Sequence, residues 1–491
     1  MKISSNALPK NLSPEESEWV YNGLDCAATM LAWHGMQKQA SKENLISYSF
    51  VSGMRAPALE MTLRGMKIDL ECKAQFIKKF SEQKQRLQGI LDRLTCAVWD
   101  RPLNTASPKQ MVEFFYTCMN LPKQYKFSKG KRSLTADREA LEKLRFNFFA
   151  QPIINTVLAI REVDKKLQFL KGGIDADQRF RASFNVVGTE TGRWSSSENP
   201  FGTGSNMQNI TNELRQIFIA DAGKKIAYVD KDQAESRAVA YISGDKGYIE
   251  ACLSGDLHTT VARMVWKDLP WTGDNKEDRK MADRPFYRHF SYRDMAKRGG
   301  HGTNYYGSPR TMAKHLKVTE ELMKGFQDAY FTAFPGLREW HHRVARQIQT
   351  QGFLTTALGR KRHFLGRRFD ENTLREAIAF EPQSIVGELL NLFLWRVWKY
   401  EPRVQVLAQI HDAILFQYQA ELEREVLENI HRLGRTEVPF PAGIMVIPTS
   451  AEVGWNWAKA TDENPHGLRK YKGDDTRTPP TYRGILDWQV L

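Results

Sequence analysis

Cysteine is scarce in this chain: Cys26, Cys72, Cys96, Cys118 and Cys252 are scattered through 491 residues, odd in number and without a Cys-x-x-Cys pair. That usage argues against a disulfide framework or a structural zinc site and makes a reducing, cytoplasmic setting the expectation (a host's cytoplasm for a viral source). No apolar run is long enough to cross a membrane, so no membrane partner is expected. The N-terminal stretch lacks a charged-then-apolar signal pattern, and Glu15, Glu16 and Glu18 argue against a mitochondrial transit segment. Internal repeats and low-complexity tracts are also missing, which excludes solenoid and linker-like organisation.

What is present is a globular chain with a basic surplus. Hydrophobic residues make up 41%, and the length suits two to four domain-sized units with packed cores. The formal net charge is +14, and the pI is about 9.4. Between Lys246 and Arg375 there are 24 Lys/Arg against 14 Asp/Glu, so about a quarter of the chain carries most of the surplus. Such an imbalance favours a polyanionic partner, although a solvated basic surface has the same composition.

Helical spacing is read around Glu15–Lys38. Met61 to Asp69 reads as a helix end, a turn at Gly65 and a new start, with a long exposed helix over Leu70–Leu94. Polar loops, including the basic stretch Lys126–Arg132, alternate with helices up to Pro152–Leu170, giving the expectation of an all-helical arm. Strand-like patterns at Phe180–Val187, Lys225–Val229, Val404–Phe416 (continuing to Tyr418) and Ile444–Glu452 are expected to share one sheet. The mainly helical residues 245–400 would then be an insertion between its strands, an α+β arrangement.

Two aspartates stand at the ends of apolar runs. Asp230 follows Ile226-Ala227-Tyr228-Val229, and Asp412 follows Leu407-Ala408-Gln409-Ile410-His411. Alone, either is more often an ordinary strand-end residue. Together, as carboxylates fixed on neighbouring rigid elements, they suit two magnesium ions of the kind that support phosphoryl transfer. Asp232 would share a face with Asp230 if its strand continued. Arg293, Lys297, His301 and Tyr305 recur every four residues, so they share one face of a helix, with Ser291 as N-cap and Asp294 three residues on. By spacing alone this is an amphipathic basic helix. Gly299, Gly300 and Gly302 weaken it, so a flexible or kinked helix is the expectation there.

Asp230-x-x-x-x-Glu235-x-Arg237, the Arg293-to-Tyr305 series and His411-Asp412 resemble, in that order, the first, second and third polymerase motifs of the family A template-directed DNA polymerases, the DNA polymerase I family. The resemblance covers most of the chain. It implies an α+β right-hand fold: a remnant of an exonuclease domain over 1–50, a helical thumb over 51–180, an antiparallel-sheet palm over 181–245 and 376–491 (with the C-terminal tail), and helical fingers over 246–375. It implies primer-template DNA and deoxynucleotides as partners, Asp230 and Asp412 as holders of two Mg²⁺ ions, and Lys297 as a catalytic acid toward the leaving pyrophosphate. Arg293, Lys297, His301, Tyr305, Glu235 and Gln233 are implied at the incoming nucleotide, with Glu235 crowding a 2′-hydroxyl and Tyr305 near the templating base.

Thr191-Gly192-Arg193-Trp194-Ser195-Ser196, followed by Asn206-x-Gln208-Asn209-Ile210, resembles the family segment laid against the primer-template minor groove. Arg193, Asn206, Gln208 and Asn209 are therefore implied as DNA contacts, side chains that suit acceptors shared by all base pairs. Arg375 and Gln383, in Arg375-x-x-x-Ala379-x-x-x-Gln383, and Gln409 and His411 are implied likewise. Asn104-Thr105-Ala106-Ser107-Pro108-Lys109-Gln110 and Arg132-Ser133-Leu134-Thr135 look like the thumb's tip and loop, gripping the DNA backbone.

Three positions depart from the family pattern: Ala413 where relatives carry a glutamate, Ala379 where Asn is usual, and His301 where Phe or Tyr is usual. They keep open a catalytically impaired DNA-binding protein, and a single-subunit RNA polymerase relative stands as another alternative that Glu235 disfavours. Tyr21-x-x-x-Asp25 resembles the last motif of the family's proofreading exonuclease, without the earlier acids. One carboxylate cannot hold two metals, so no self-contained 3′→5′ proofreading is expected. A separately encoded exonuclease or a processivity factor is an expected partner. Compactness and the clipped front give a phage-type source as the expectation. The tail, with Arg469-Lys470-Tyr471-Lys472 and Pro479-Pro480, is read as touching DNA or a partner, or packing on the palm.

Overall fold

The structure is a computed structural model that describes residues 12–128, 130–288 and 290–472. Lys129 of the basic stretch and Pro479-Pro480 of the tail lie outside these residues.

The centre is a five-stranded antiparallel sheet in the order Gln405–Ile410, Ala413–Gln419, Lys224–Lys231, Thr449–Gly454, Arg469–Lys470. Period-two alternation buries both of its faces. Ala227, Val229, Ile414, Phe416 and Tyr418 pack on the helices Glu371–Tyr400 and Glu423–Gly434. Ile226, Tyr228 and Leu415 point the other way, toward Phe180, Phe218 and Trp457. Asp230 falls on the Tyr228 side, at the end of the central strand, where the apolar run stops.

One expected strand does not join this sheet, and another joins it only in part. Ala182–Asn185 pairs instead with Ser195–Glu198 in a separate hairpin, and the Ile444–Glu452 stretch holds two strands. Of these, Gly443–Val446 pairs with Glu437–Phe440, and only Thr449–Gly454 reaches the sheet. Each segment has the alternation of a strand, but alternation does not identify the partner.

Between Lys231 and Gln405 the chain is mainly helical, as expected, with the short hairpins Pro285–Tyr287/Phe290–Ser291 and Phe353–Thr355/Lys361–His363. Its core gathers Tyr248, Phe326, Tyr330, Phe334 and Trp340. The helix Tyr292–Asn304 runs unbroken through its glycines. These glycines serve close packing: a Cβ at Gly299 would lie 2.7 Å from the Phe326 ring, and one at Gly302 would lie 2.3 Å from Met312 Cε. The 30-residue helix Glu371–Tyr400 is buried on all sides through its middle, where it joins the helical core to the sheet core.

Ahead of the sheet, Leu70–Trp99 packs along Gln151–Lys171 to form an arm with its own core of Phe114, Phe115, Leu141 and Ile154. Asp69 caps the first of these helices by accepting from Cys72 N at 2.9 Å. The arm is not all helical: Tyr125–Ser128 and Lys131–Leu134 form a hairpin across the basic stretch. Farther forward, the helix Pro14–Gln39 begins at a Ser13/Glu16 capping box and buries none of its residues, so Tyr21 and Asp25 are both exposed.

Candidate active site

Asp230 and Asp412 come together through strand register. Ala413 is the direct partner of Asp230 in the ladder, and Asp412 precedes it in the two-residue loop His411-Asp412. Lys231 N donates to the Asp412 carbonyl at 3.2 Å, closing the loop onto the central strand. His411 holds a positive φ of 53°, a conformation that costs a residue with a Cβ about 1–3 kcal/mol. Ala413 is fully buried opposite Asp230 and adds no carboxylate to the pair. Asp232 turns away and accepts from Ser450 Oγ at 2.6 Å.

The pair is short of positive charge. Burial, with the charge of Asp412 next, pushes the Asp230 carboxyl up to about 7. Burial also raises Asp412, against the opposing pull of Arg193. No Lys or Arg side chain pairs with Asp230 among the described residues, whereas Arg193 Nη2 lies 3.1 Å from Asp412 Oδ1. The same Arg193 nitrogen donates to Glu235 Oε1, joining the first and third motifs through one guanidinium.

Glu235 sits in the first turn of Ala234–Ser243. The turn follows Gln233, which is exposed, holds φ 53° and makes no side-chain cap. Glu235 Oε2 accepts from the Tyr305 hydroxyl at 2.7 Å and lies 3.9 Å from His301 Nε2. The rings of His301 and Tyr305 meet edge-on, with centroids 4.9 Å apart. Arg193, Glu235, Asp412, His301 and Tyr305 thus form one connected group beside Asp230.

The cations of the Tyr292–Asn304 helix lie along the same face. Ser291 Oγ caps it by accepting from Asp294 N at 3.0 Å, as expected. Arg293 is held by Asp256, with Nη2 to Oδ1 at 3.0 Å, while Lys297 is exposed. Asp256 and its neighbour His258 were not picked out by the sequence. Burial, then Arg293 and Lys297, depress His258 to about 4, so it stays neutral under the basic face. The signal for Asp256 was available: it is the N-cap of Leu257–Val265, accepting from Thr259 N.

The DNA-contact set is divided. Gln409 lies inside: it is 3% exposed, and its amide donates to Asn391 Oδ1 at 2.8 Å. Asn391 Nδ2 in turn donates to Gly192 O at 3.0 Å, so Gln409 acts behind the Arg193 loop rather than at a surface. Gln208 also turns inward, donating to Trp194 O at 2.7 Å. Asn206 is exposed and caps the turn after it, accepting from Gln208 N at 3.0 Å. Asn209 and His411 are exposed. Arg375 pairs with Glu371 at 2.6 Å, and Gln383 is half-buried on the same helix. No contact joins Arg375 or Gln383 to the carboxylate group among the described residues.

Among the described residues no third His, Cys, Asp or Glu completes a protein-only metal cage. Two half-buried carboxylates short of positive charge nevertheless fit hard divalent cations, which take one or two carboxylates and complete their shell with phosphate and water oxygens. Among the described residues no helix is long and apolar enough to cross a membrane.

Residues 73–459 match the model of DNA polymerase family A. DNA polymerase I of Helicobacter pylori (strain ATCC 700392 / 26695) is 26% identical over 442 residues, covering 86% of this chain and 45% of that protein. The thermostable DNA polymerase I of Thermus aquaticus is 28% identical over 422 residues, covering 82% and 46%. The chain therefore spans about half the length of these relatives. Its fold is similar to the POL domain of Pol1 from M. smegmatis, solved in complex with DNA primer-template and dNTP. That match has a TM-score of 0.69 and 24% identity, and covers 83% of this chain and 70% of the other.

Proposed function

The chain belongs to DNA polymerase family A, and on that premise we propose that it adds deoxynucleotides to a primer 3′-hydroxyl under a DNA template, releasing pyrophosphate. One observation carries the reading: Asp230 and Asp412, 182 positions apart in sequence, form a half-buried acidic pair beside a helix bearing Arg293 and Lys297. In this reading residues 51–180 are the thumb, 181–245 and 376–491 the palm with the C-terminal tail, and 246–375 the fingers.

Family A polymerases depend on metal ions. Asp230 and Asp412 would hold two Mg²⁺ ions, which neutralise charge on the reacting phosphate and favour the ionised 3′-hydroxyl. Arg193 supplies positive charge at Asp412 in the structure, so the loop needs charge compensation even before substrate arrives. Arg293, oriented by Asp256, would take triphosphate oxygens, and the exposed ammonium of Lys297 would give a proton to the departing pyrophosphate. Glu235, pinned between Arg193 and Tyr305, would stand against a 2′-hydroxyl. His301 and Gln233 would border the nucleotide, and Tyr305 the templating base. Asn206, Asn209, Arg375, Gln383 and His411 would follow the primer-template.

The test is extension of a recessed, 5′-labelled DNA primer with Mg²⁺ and the four deoxynucleotides. Extension dependent on metal and template supports the reading. Intact primer-template binding without extension would replace it with the DNA-binding alternative, in which the missing acid at Ala413 becomes decisive.

A further inference from the structure

The turn between the arm helices Arg138–Leu144 and Gln151–Lys171 displays three phenylalanines. Phe146, Phe148 and Phe149 are 95%, 80% and 82% exposed. The turn is nevertheless well anchored. Leu144 before it and Ala150 after it are buried, and Asn147 Oδ1 accepts from Phe149 N at 3.1 Å and Ala150 N at 3.2 Å. The rings of Phe148 and Phe149 meet edge-on at 5.8 Å, with no core residue over them. Phenylalanine is among the residues most often buried in folded proteins, and a contiguous exposed cluster marks a contact surface.

Charge identifies the occupant. Residues 121–150 carry eight Lys/Arg against three Asp/Glu. The neighbouring hairpin adds Phe127, 73% exposed, and Arg132, whose guanidinium lies 3.8 Å from the Tyr125 ring centre. Lys126 ties that hairpin to Asp137, the cap of the Arg138–Leu144 helix, at 3.5 Å. Lys143 is exposed just before the phenylalanine turn. Flat apolar faces interleaved with cations match a ligand that offers an aromatic face and a phosphate at each step. Single-stranded DNA offers both, whereas a duplex hides its base faces and an apolar protein pocket does not call for the cations.

We propose that the Phe146–Phe149 turn is a stacking platform for single-stranded DNA. The platform goes beyond the polymerase reading and rests on it only for where the strand comes from. Binding can therefore be measured without synthesis.

The experiment is fluorescence anisotropy of a labelled oligo-dT of about 20 nucleotides with the full chain and with three triple variants at Phe146, Phe148 and Phe149: all Leu, all Tyr and all Ser. Unchanged thermal unfolding midpoints check the fold of each. Weakening by about tenfold or more in the Leu and Ser variants, with affinity restored in the Tyr variant, is the expected result. Equal affinity in all four proteins would overturn the platform and leave the cluster to a protein partner. Equal loss in the Leu and Tyr variants would also overturn it, since only the π-faces distinguish them. Wild-type primer extension, measured alongside, separates the two ideas. Phenylalanine-dependent oligo-dT binding without extension fails the polymerase reading alone, and extension with phenylalanine-independent binding fails the platform alone.

Discussion

The Tyr305 hydroxyl donates a 2.7 Å hydrogen bond to Glu235, tying the end of the basic helix to the first turn of a helix 70 residues earlier. Burial, then the charge of Glu235, raises the Tyr305 phenol well above its usual range, so it remains a donor at any working pH. Glu235→Ala removes the carboxylate proposed to stand against a 2′-hydroxyl. It should raise the ratio of ribonucleotide to deoxynucleotide kcat/KM by roughly 10–100-fold. Tyr305→Phe keeps the ring and frees Glu235, and should move the same ratio in the same direction by less. Steady-state single-nucleotide insertion measures both, and an unchanged ratio in Glu235→Ala would remove it from sugar selection.

Asp230 titrates near 7 in the folded chain, above its ordinary carboxylate value, so folded protein binds this proton more tightly than unfolded protein does. The sign follows: this group's contribution to stability falls as pH rises from about 4 to about 7. Asp230→Asn should therefore be more stable than wild type near pH 8, by on the order of 1–3 kcal/mol without metal, with the difference gone near pH 4. Denaturant midpoints at the two pH values decide it. A less stable variant at the higher pH would mean that the pair is not short of positive charge.

On the proposed function, the same titration is expected to govern activity. A protonated Asp230 cannot bind a cation, so extension should fall as pH drops through about 7. More Mg²⁺ should shift the inflection to lower pH, because metal and proton compete for one carboxylate. A pH profile at two metal concentrations checks this, and a metal-independent inflection would contradict it.

Gly299 presents a contest between propensity and packing. Alanine gains about 1 kcal/mol of helix propensity at an exposed site, but here its Cβ would meet the Phe326 ring at 2.7 Å. Gly299→Ala should destabilise by about 1–3 kcal/mol, read from the urea midpoint. Stabilisation would show that the helix has room to shift.

Asn391 sits between Gln409 and Gly192, fully inside the protein. Asn391→Leu leaves the Gln409 amide and the Gly192 carbonyl unpaired and should cost about 1–3 kcal/mol. Adding Gln409→Leu should recover part of that, since removing both partners of a buried bond is less costly than removing one. Additive losses in the double-mutant cycle would break the relay.

Much of the fold was legible because apolar periodicity is a local signal. The strand ending at Asp230, the hairpin around Asp412, the helix capped by Ser291 and the long helices of the arm all carry it. Pairing was not legible: Ala182–Asn185 has the pattern of a strand but takes Ser195–Glu198 as its neighbour. The glycines of the basic helix read as weakness because Phe326, Tyr330 and Met312, which need their space, are remote in sequence. At the site, motif order brought Asp230, Asp412, Glu235 and Tyr305 to notice, but it could not tell which polar residues face outward. Gln409, implied as a DNA contact, is buried with its amide joined to Asn391. Asp256 carries a local N-cap signal, but nothing local links it or His258 to Arg293 and Lys297.

The most direct test of the acidic pair is primer extension by wild type and Asp230→Asn side by side, with and without Mg²⁺, together with primer-template binding. Metal-dependent extension by wild type only, with binding retained in the variant, is the predicted result. Undiminished extension by Asp230→Asn would contradict the assignment of Asp230 and Asp412 as the metal-holding pair.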